Sequence, residues 1–141
     1  MGNETEFSGG CLCGAIRYRV TGIPLTTGHC HCQQCRRQSG ALFFSGVGGF
    51  PADSISWLNK DPAIYKESLT RGWSFCPECG SSIARQWLDE ATIWLCIGTL
   101  DAPELVAPKY HMFTEEQIPW INLDDELPRY PRYPTAWEVE C

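Results

Sequence analysis

Three observations predict a mainly β, single-domain fold for this 141-residue sequence. Short alternating apolar stretches recur as far as Gly98. Turn-forming residues punctuate them, with 13 glycines and 10 prolines in the chain. Only one short stretch reads as helical, which favours a β-rich architecture over a layered α/β one. The length suits one domain with a real core. An apolar fraction of 43% with 12% aromatic residues excludes a disordered chain.

The elements follow in order. Residues 1–9 read as an N-terminal tail, 10–127 as the folded domain and 128–141 as a proline-rich C-terminal extension. Ala15 to Val20 alternates as a strand and ends in the turn Thr21-Gly22-Ile23-Pro24. Thr26 to Cys32 is extended. Gln33 to Ser39 has room for one or two helical turns, with Gly40 as the stop. Ala41 to Gly48 is apolar and aromatic, as a buried strand would be. Further strands are expected at Ile55–Trp57, Ile64–Lys66, Ser81–Trp87 and Thr92–Gly98, with Asp89-Glu90 turning between the last two. Beyond Gly98 the prolines impose loops. Leu127 to Pro134 is extended, with Trp120 and Tyr130 expected to dock on the domain.

Nine cysteines are the outlying number. Seven fall in three tight groups, Cys11-Leu-Cys13, Cys30-His-Cys32-Gln-Gln-Cys35 and Cys76-Pro-Glu-Cys79; Cys96 and Cys141 stand alone. An odd count in a chain that starts without an export signal fits a disulfide scaffold poorly. Tetrahedral zinc, by contrast, accepts thiolates from one tight turn. Cys76-Pro77-Glu78-Cys79-Gly80 reads as a zinc knuckle. Cys11 and Cys13, followed by Gly14, are the natural donors to complete a closed four-cysteine structural site. Redox chemistry at the CxxC would require a following helix, and residues 81–87 read as a strand.

Cys30, Cys32 and Cys35 leave more choices open. Three thiolates with a free fourth position suit a catalytic zinc. A second structural site, closed by Cys96, Cys141 or a histidine, is the alternative, and no metal at all is the third. His31 lies between two ligands on an extended segment, so it faces away from a metal that both neighbours bind. It is a candidate acid–base group near neutral pH. His111, among Tyr110, Met112 and Phe113, reads as a satisfied core histidine, and Cys96 as a small apolar core residue. Cys141 reads as a mobile terminal thiol.

Charge adds exclusions. A net charge of −6 and a pI near 5.0 argue against nonspecific nucleic-acid binding. No apolar run approaches the ~20 residues of a membrane span. A cytoplasmic protein with no membrane partner is the resulting expectation. An anionic ligand would need local cations against this field. Arg36 and Arg37, directly after Cys35, are the best placed; Arg71 and Lys109 read first as solvated surface charges.

The groups Gly10-Cys11-Leu12-Cys13-Gly14, His29-Cys30-His31-Cys32-Gln33-Gln34-Cys35-Arg36-Arg37 and Phe75-Cys76-Pro77-Glu78-Cys79-Gly80 resemble the glutathione-dependent formaldehyde-activating family. Gly98-Thr99-Leu100-Asp101 and Tyr110-His111 are similar to its later segments. The resemblance runs from about Gly10 to Tyr130. It implies a compact domain of several short coiled antiparallel sheets. It also implies a structural zinc on Cys11, Cys13, Cys76 and Cys79 and an active-site zinc on Cys30, Cys32 and Cys35. The implied activity is that of a carbon–sulfur lyase on glutathione adducts of small aldehydes, joining formaldehyde and glutathione into S-hydroxymethylglutathione. Arg36 and Arg37 are then the expected glutathione contacts. The alternative is a zinc-stabilised binding module without catalysis, since a centromere-associated animal protein carries the same domain.

Overall fold

The computed structural model describes residues 5–135. Strands β1 (Thr5–Gly10) and β2 (Arg17–Gly22) form an antiparallel hairpin, and β5 (Ile55–Trp57) joins β2 to complete a three-stranded sheet. The remaining strands are β3 (Thr26–Cys30), β4 (Phe44–Pro51), β6 (Ala63–Lys66), β7 (Arg71–Phe75), β8 (Ser82–Trp87), β9 (Thr92–Cys96) and β10 (His111–Met112). They form a seven-stranded sheet in the order β10-β3-β4-β9-β8-β7-β6. Every pairing in it is antiparallel except that of β10 with β3. Among the described residues the fold is mainly β with one α-helix, α1 (Gln33–Ser39), ending at Gly40. No helix among the described residues is long and apolar enough to cross a membrane.

The strand period of two sorts the large sheet's side chains into two cores. Val47, Ala84, Ile93 and Leu95 bury one face against Phe7, Tyr18 and Val20 of the small sheet and Ile16 just before β2. The second cluster holds Cys30, Cys35, Phe44, Trp73, Cys96, Tyr110 and Met112. The apolar alternation thus produces a sheet covered on one side by another sheet. The other side is covered by α1 and the C-terminal segment. Bonds from His111 N–H to Pro128 O (2.9 Å), Tyr130 N–H to His111 O (2.9 Å) and Phe113 N–H to Arg132 O (2.9 Å) tie that segment down.

Several expectations need correcting. Residues 5–9, read as a tail, belong to β1, where Phe7 and Gly9 are buried. The apolar strand read at residues 41–48 runs instead from Phe44 to Pro51, because Ala41 and Leu42 are solvent-exposed. Strand β7 went unread, since Arg71 and Gly72 dilute its alternation. Tyr130 docks against the second cluster, its ring edge-on to Tyr110. Trp120 does not dock and is 71% exposed. Cys141 and the last residues of the C-terminal extension lie outside the described residues.

Candidate metal centres

The loop between β1 and β2 carries Cys11 and Cys13; the loop between β7 and β8 carries Cys76 and Cys79. Their four sulfurs lie within 4.8 Å of one another. Two of the separations are Cys11 Sγ to Cys13 Sγ, 3.6 Å, and Cys13 Sγ to Cys76 Sγ, 3.8 Å. A tetrahedral zinc with Zn–S bonds of about 2.3 Å sets its sulfurs about 3.8 Å apart, so the donor set fits that ion.

The two loops are built alike. Cys11 N–H donates to Ile16 O (3.0 Å) and Cys76 N–H to Ser81 O (2.9 Å); Gly14 N–H reaches Cys11 O (3.3 Å) and Gly80 N–H reaches Cys76 O (2.9 Å). Gly14 and Gly80 sit at φ of 85° and 80°, a left-handed conformation that a side chain disfavours. The turns then aim N–H groups at sulfur: Ile16 N at Cys11 (3.2 Å), and Glu78 N and Cys79 N at Cys76 (3.4 Å each). Hydrogen bonds from the Ser81 hydroxyl and backbone pull the Cys79 thiol down to about 5. Such donors favour thiolate over thiol, the form a metal takes.

The second group forms where β3 runs into α1. Cys30 ends the strand, Cys32 is the N-cap, and Cys35 lies in the first turn of the helix. Cys32 Sγ accepts the Cys35 N–H at 3.3 Å. The three sulfurs also lie within 4.8 Å of one another. Cys32 is held down to about 3, because Cys30 and Cys35 donate to it and the Arg85 charge lies near. Its hydrogen bond and charge push Cys30 up to about 12, and Cys35 is also pushed up. One thiolate shared by three sulfurs is a site ready to receive a cation, which would deprotonate the other two. Cys96, in the same core, is not among these three, and burial pushes its thiol up to about 12.

The two groups differ in access. The three sulfurs line a cavity of about 320 Å³. Its described lining includes none of the four cysteines of the first group. Arg36 and Arg37 do not line it either; Arg37 faces a separate open groove that contains Cys79 and Ser81. The cations of the cavity are Arg71 and Arg85.

Both arginines are fixed by β7–β8 pairing, in which Arg71 opposes Trp87 and Trp73 opposes Arg85. Arg71 stacks over Trp87 at 4.1 Å and donates through Nη1 to Asp89 (3.0 Å) and to Thr70 O (2.9 Å). Arg85 stacks over Trp73 at 4.2 Å, and its fork spans the two Glu67 carboxylate oxygens at 3.2 and 3.3 Å. Each stack adds cation–π attraction to an ion pair. Arg85 went unnoticed in the sequence. The alternations Arg71-x-Trp73 and Arg85-x-Trp87 were the signal for it.

The histidines form a separate cluster. His31 is 1% exposed, turned away from the sulfurs of its neighbours, and does not line the cavity. Its Nε2 lies 2.9 Å from His111 Nδ1, and His111 Nε2 lies 2.9 Å from Asp125 Oδ2. Asp125, as carboxylate, accepts from His111 Nε2–H, so His111 Nδ1 accepts from His31 Nε2–H. That assignment leaves His31 Nδ1 buried without a partner. Burial, with His111 alongside, holds His29 and His31 down to about 4, so both rings are neutral at pH 7. His31, expected as an acid–base group, is thus packed beside His111 and lies outside the cavity lining. His111 is the satisfied core histidine its neighbours suggested.

A sequence model for a family described as glutathione-dependent formaldehyde-activating enzyme matches residues 6–116. The fold matches the crystal structure of a Rhodobacter sphaeroides protein with a TM-score of 0.52 at 20% identity, covering 72% of this chain and 96% of that one. No curated protein matches the sequence.

Proposed function

The chain belongs to the glutathione-dependent formaldehyde-activating family, and we propose that its three-cysteine site holds zinc and interconverts glutathione, a small aldehyde and their thiol adduct. One observation supports this reading: of the two cysteine groups that could hold a metal, the three-cysteine group turns all its members into one cavity that also carries two arginines, whereas the four-cysteine group places only Cys79 at an open groove, among the described residues. A four-thiolate shell is closed, whereas a three-thiolate shell keeps a position for a ligand.

Zinc in this position supplies Lewis acidity and a partner for thiolate sulfur. The chain's own residues supply the rest. Cys30, Cys32 and Cys35 would hold the ion beside the cavity they line. Arg71 faces the cavity with part of its fork beyond Asp89 and can take a carboxylate of glutathione. Arg85 is held by Glu67 and acts as a fixed positive charge beside Cys32. Together they offset the chain's negative field where an anionic thiol must enter. Phe44, Trp94 and Met112 shield the sulfurs from bulk water. Glu116 lines the same cavity and accepts the Gln33 N–H at 3.0 Å, beside the first turn of α1. It is the lining carboxylate able to exchange the proton that moves between thiol and carbonyl oxygen.

In the forward direction a carbon–sulfur bond forms, the carbonyl π bond breaks, and the thiol proton ends on oxygen. The reverse is a carbon–sulfur lyase step. The other group, Cys11, Cys13, Cys76 and Cys79, then holds a structural zinc. Native mass spectrometry with a chelator tests this division. One inert zinc and one removable zinc are expected. Two equally inert zincs would make both sites structural and overturn the reading.

A further inference from the structure

We propose that, besides formaldehyde, the three-cysteine site takes aldehydes that carry an aryl substituent, and that an aromatic wall of the cavity binds their adducts more tightly. This rests on the glutathione reading above and adds the class of its second substrate. Formaldehyde brings one carbon and one oxygen and presents no apolar face. Glutathione brings methylenes, amides and carboxylates, which match Gln33, Gln34 and Arg71 in the lining. Phe44 and Trp94 are largely buried, but neither ligand calls for the rings of Trp87, Phe113 and Tyr133 that line the same 320 Å³ space beside the exposed edge of Trp94.

The fold holds this wall deliberately in place. Trp87 and Trp94 lie nearly parallel, at 18° with centroids 6.4 Å apart, and Arg71 covers Trp87. Across the β4–β9 pairing, Gly48 opposes Trp94, and a Cβ at Gly48 would lie 2.3 Å from Trp94 Cγ. The strand therefore gives up a side chain to seat that indole. Phe113 holds φ of 55°, a strained conformation for a bulky residue, while its ring lines the cavity. Rings and thiolates in one lining fit an adduct whose sulfur lies near the cysteines and whose aryl group packs against the ring edges that Trp87 and Trp94 leave in the cavity. The chemistry stays the balanced addition given above and needs no oxidant.

Calorimetric titration of the zinc-loaded protein with S-benzylglutathione and S-methylglutathione tests this. These stable thioethers stand for an aryl adduct and a one-carbon adduct. The benzyl compound is expected to bind about ten-fold tighter or better, as burial of a phenyl group predicts. Trp94→Ala should reduce that ratio to below about three-fold, with Trp87→Ala as the second variant if the first does not fold, each checked by its melting curve. Equal binding of the two thioethers overturns the inference and leaves the glutathione reading intact. A benzyl preference that both folded variants retain also overturns it. Failure of glutathione and both thioethers to bind at millimolar concentration overturns the glutathione reading as well.

Discussion

Replacing Cys76 by Ser should cost the protein its fold, whereas replacing Cys32 by Ser should not. Cys76 is fully buried, accepts two backbone N–H bonds and packs into the core between the sheets. The four-cysteine group joins a loop of the small sheet to a loop of the large one. Beside it, among the described residues, the polar contacts are light: Leu12 N–H to Ser81 Oγ at 3.1 Å between the two loops, and the exposed pair of Lys60, after β5, with Glu78. A zinc held by this group would add adhesion between the sheets at this end. A structural zinc contributes of order 10 kcal/mol or more to small domains. A whole domain is stable by about 5–15 kcal/mol. Losing one of four ligands removes a large part of the first figure, which is comparable to the second. Cys32 lies at the end of one helix, on a site that opens to a cavity, and no sheet junction depends on it. Circular-dichroism melts with zinc counting on both variants provide the assay. Cys76→Ser should be unfolded or lose most of its thermal transition; Cys32→Ser should melt cooperatively with one zinc fewer. A Cys32→Ser variant that unfolds as badly as Cys76→Ser would refute the division of the two sites. So would a Cys76→Ser variant that melts like the parent.

Three other outcomes follow from the geometry. Arg71→Ala should raise the KM for glutathione about ten-fold with little change in kcat, as loss of a charge-assisted contact predicts, whereas Arg36→Ala should change it less than two-fold or so in the same steady-state assay. Gly48→Ala should lower the melting temperature by several degrees, because the added Cβ meets Trp94 and overpacking costs about 1–3 kcal/mol. Asp125 is held down to about 2, first by its bond to His111, so its contribution is full above the ordinary carboxylate range and is lost as pH falls toward 2. Hydrogen exchange at residues 121–130 should therefore accelerate on acidification through that window in the parent, and Asp125→Asn should show the fast exchange already at pH 5.

Local chemistry made the metal groups legible in the sequence. Cys-x-Cys and Cys-x-x-Cys spacings, with Gly14 and Gly80 at matching positions, carry their turn geometry within a few residues. Helix α1 was equally local, from Gln33 to its stop at Gly40. The cavity was not local. Arg36 and Arg37 follow Cys35 directly, yet the helix turns them away from the sulfurs. Arg71 and Arg85 reach the cavity because β7 and β8 pair in one register, fixed only by the folded sheet. The histidine chain has the same origin: His31 and His111 meet through the parallel pairing of β10 with β3, a two-residue strand too short to read from periodicity. Strand β1 escaped notice because its outward residues, Glu6 and Ser8, and its glycines hide the buried Phe7.

Exchange spectroscopy of isotope-labelled formaldehyde with glutathione tests the central claim most directly. The rate of interconversion between the free species and S-hydroxymethylglutathione is read with zinc-loaded protein, with folded Cys32→Ser and with no protein, since the uncatalysed reaction is itself fast. The account predicts faster exchange with the parent protein and a return to the protein-free rate with Cys32→Ser. Exchange at the protein-free rate in the presence of folded, fully zinc-loaded parent protein would contradict it.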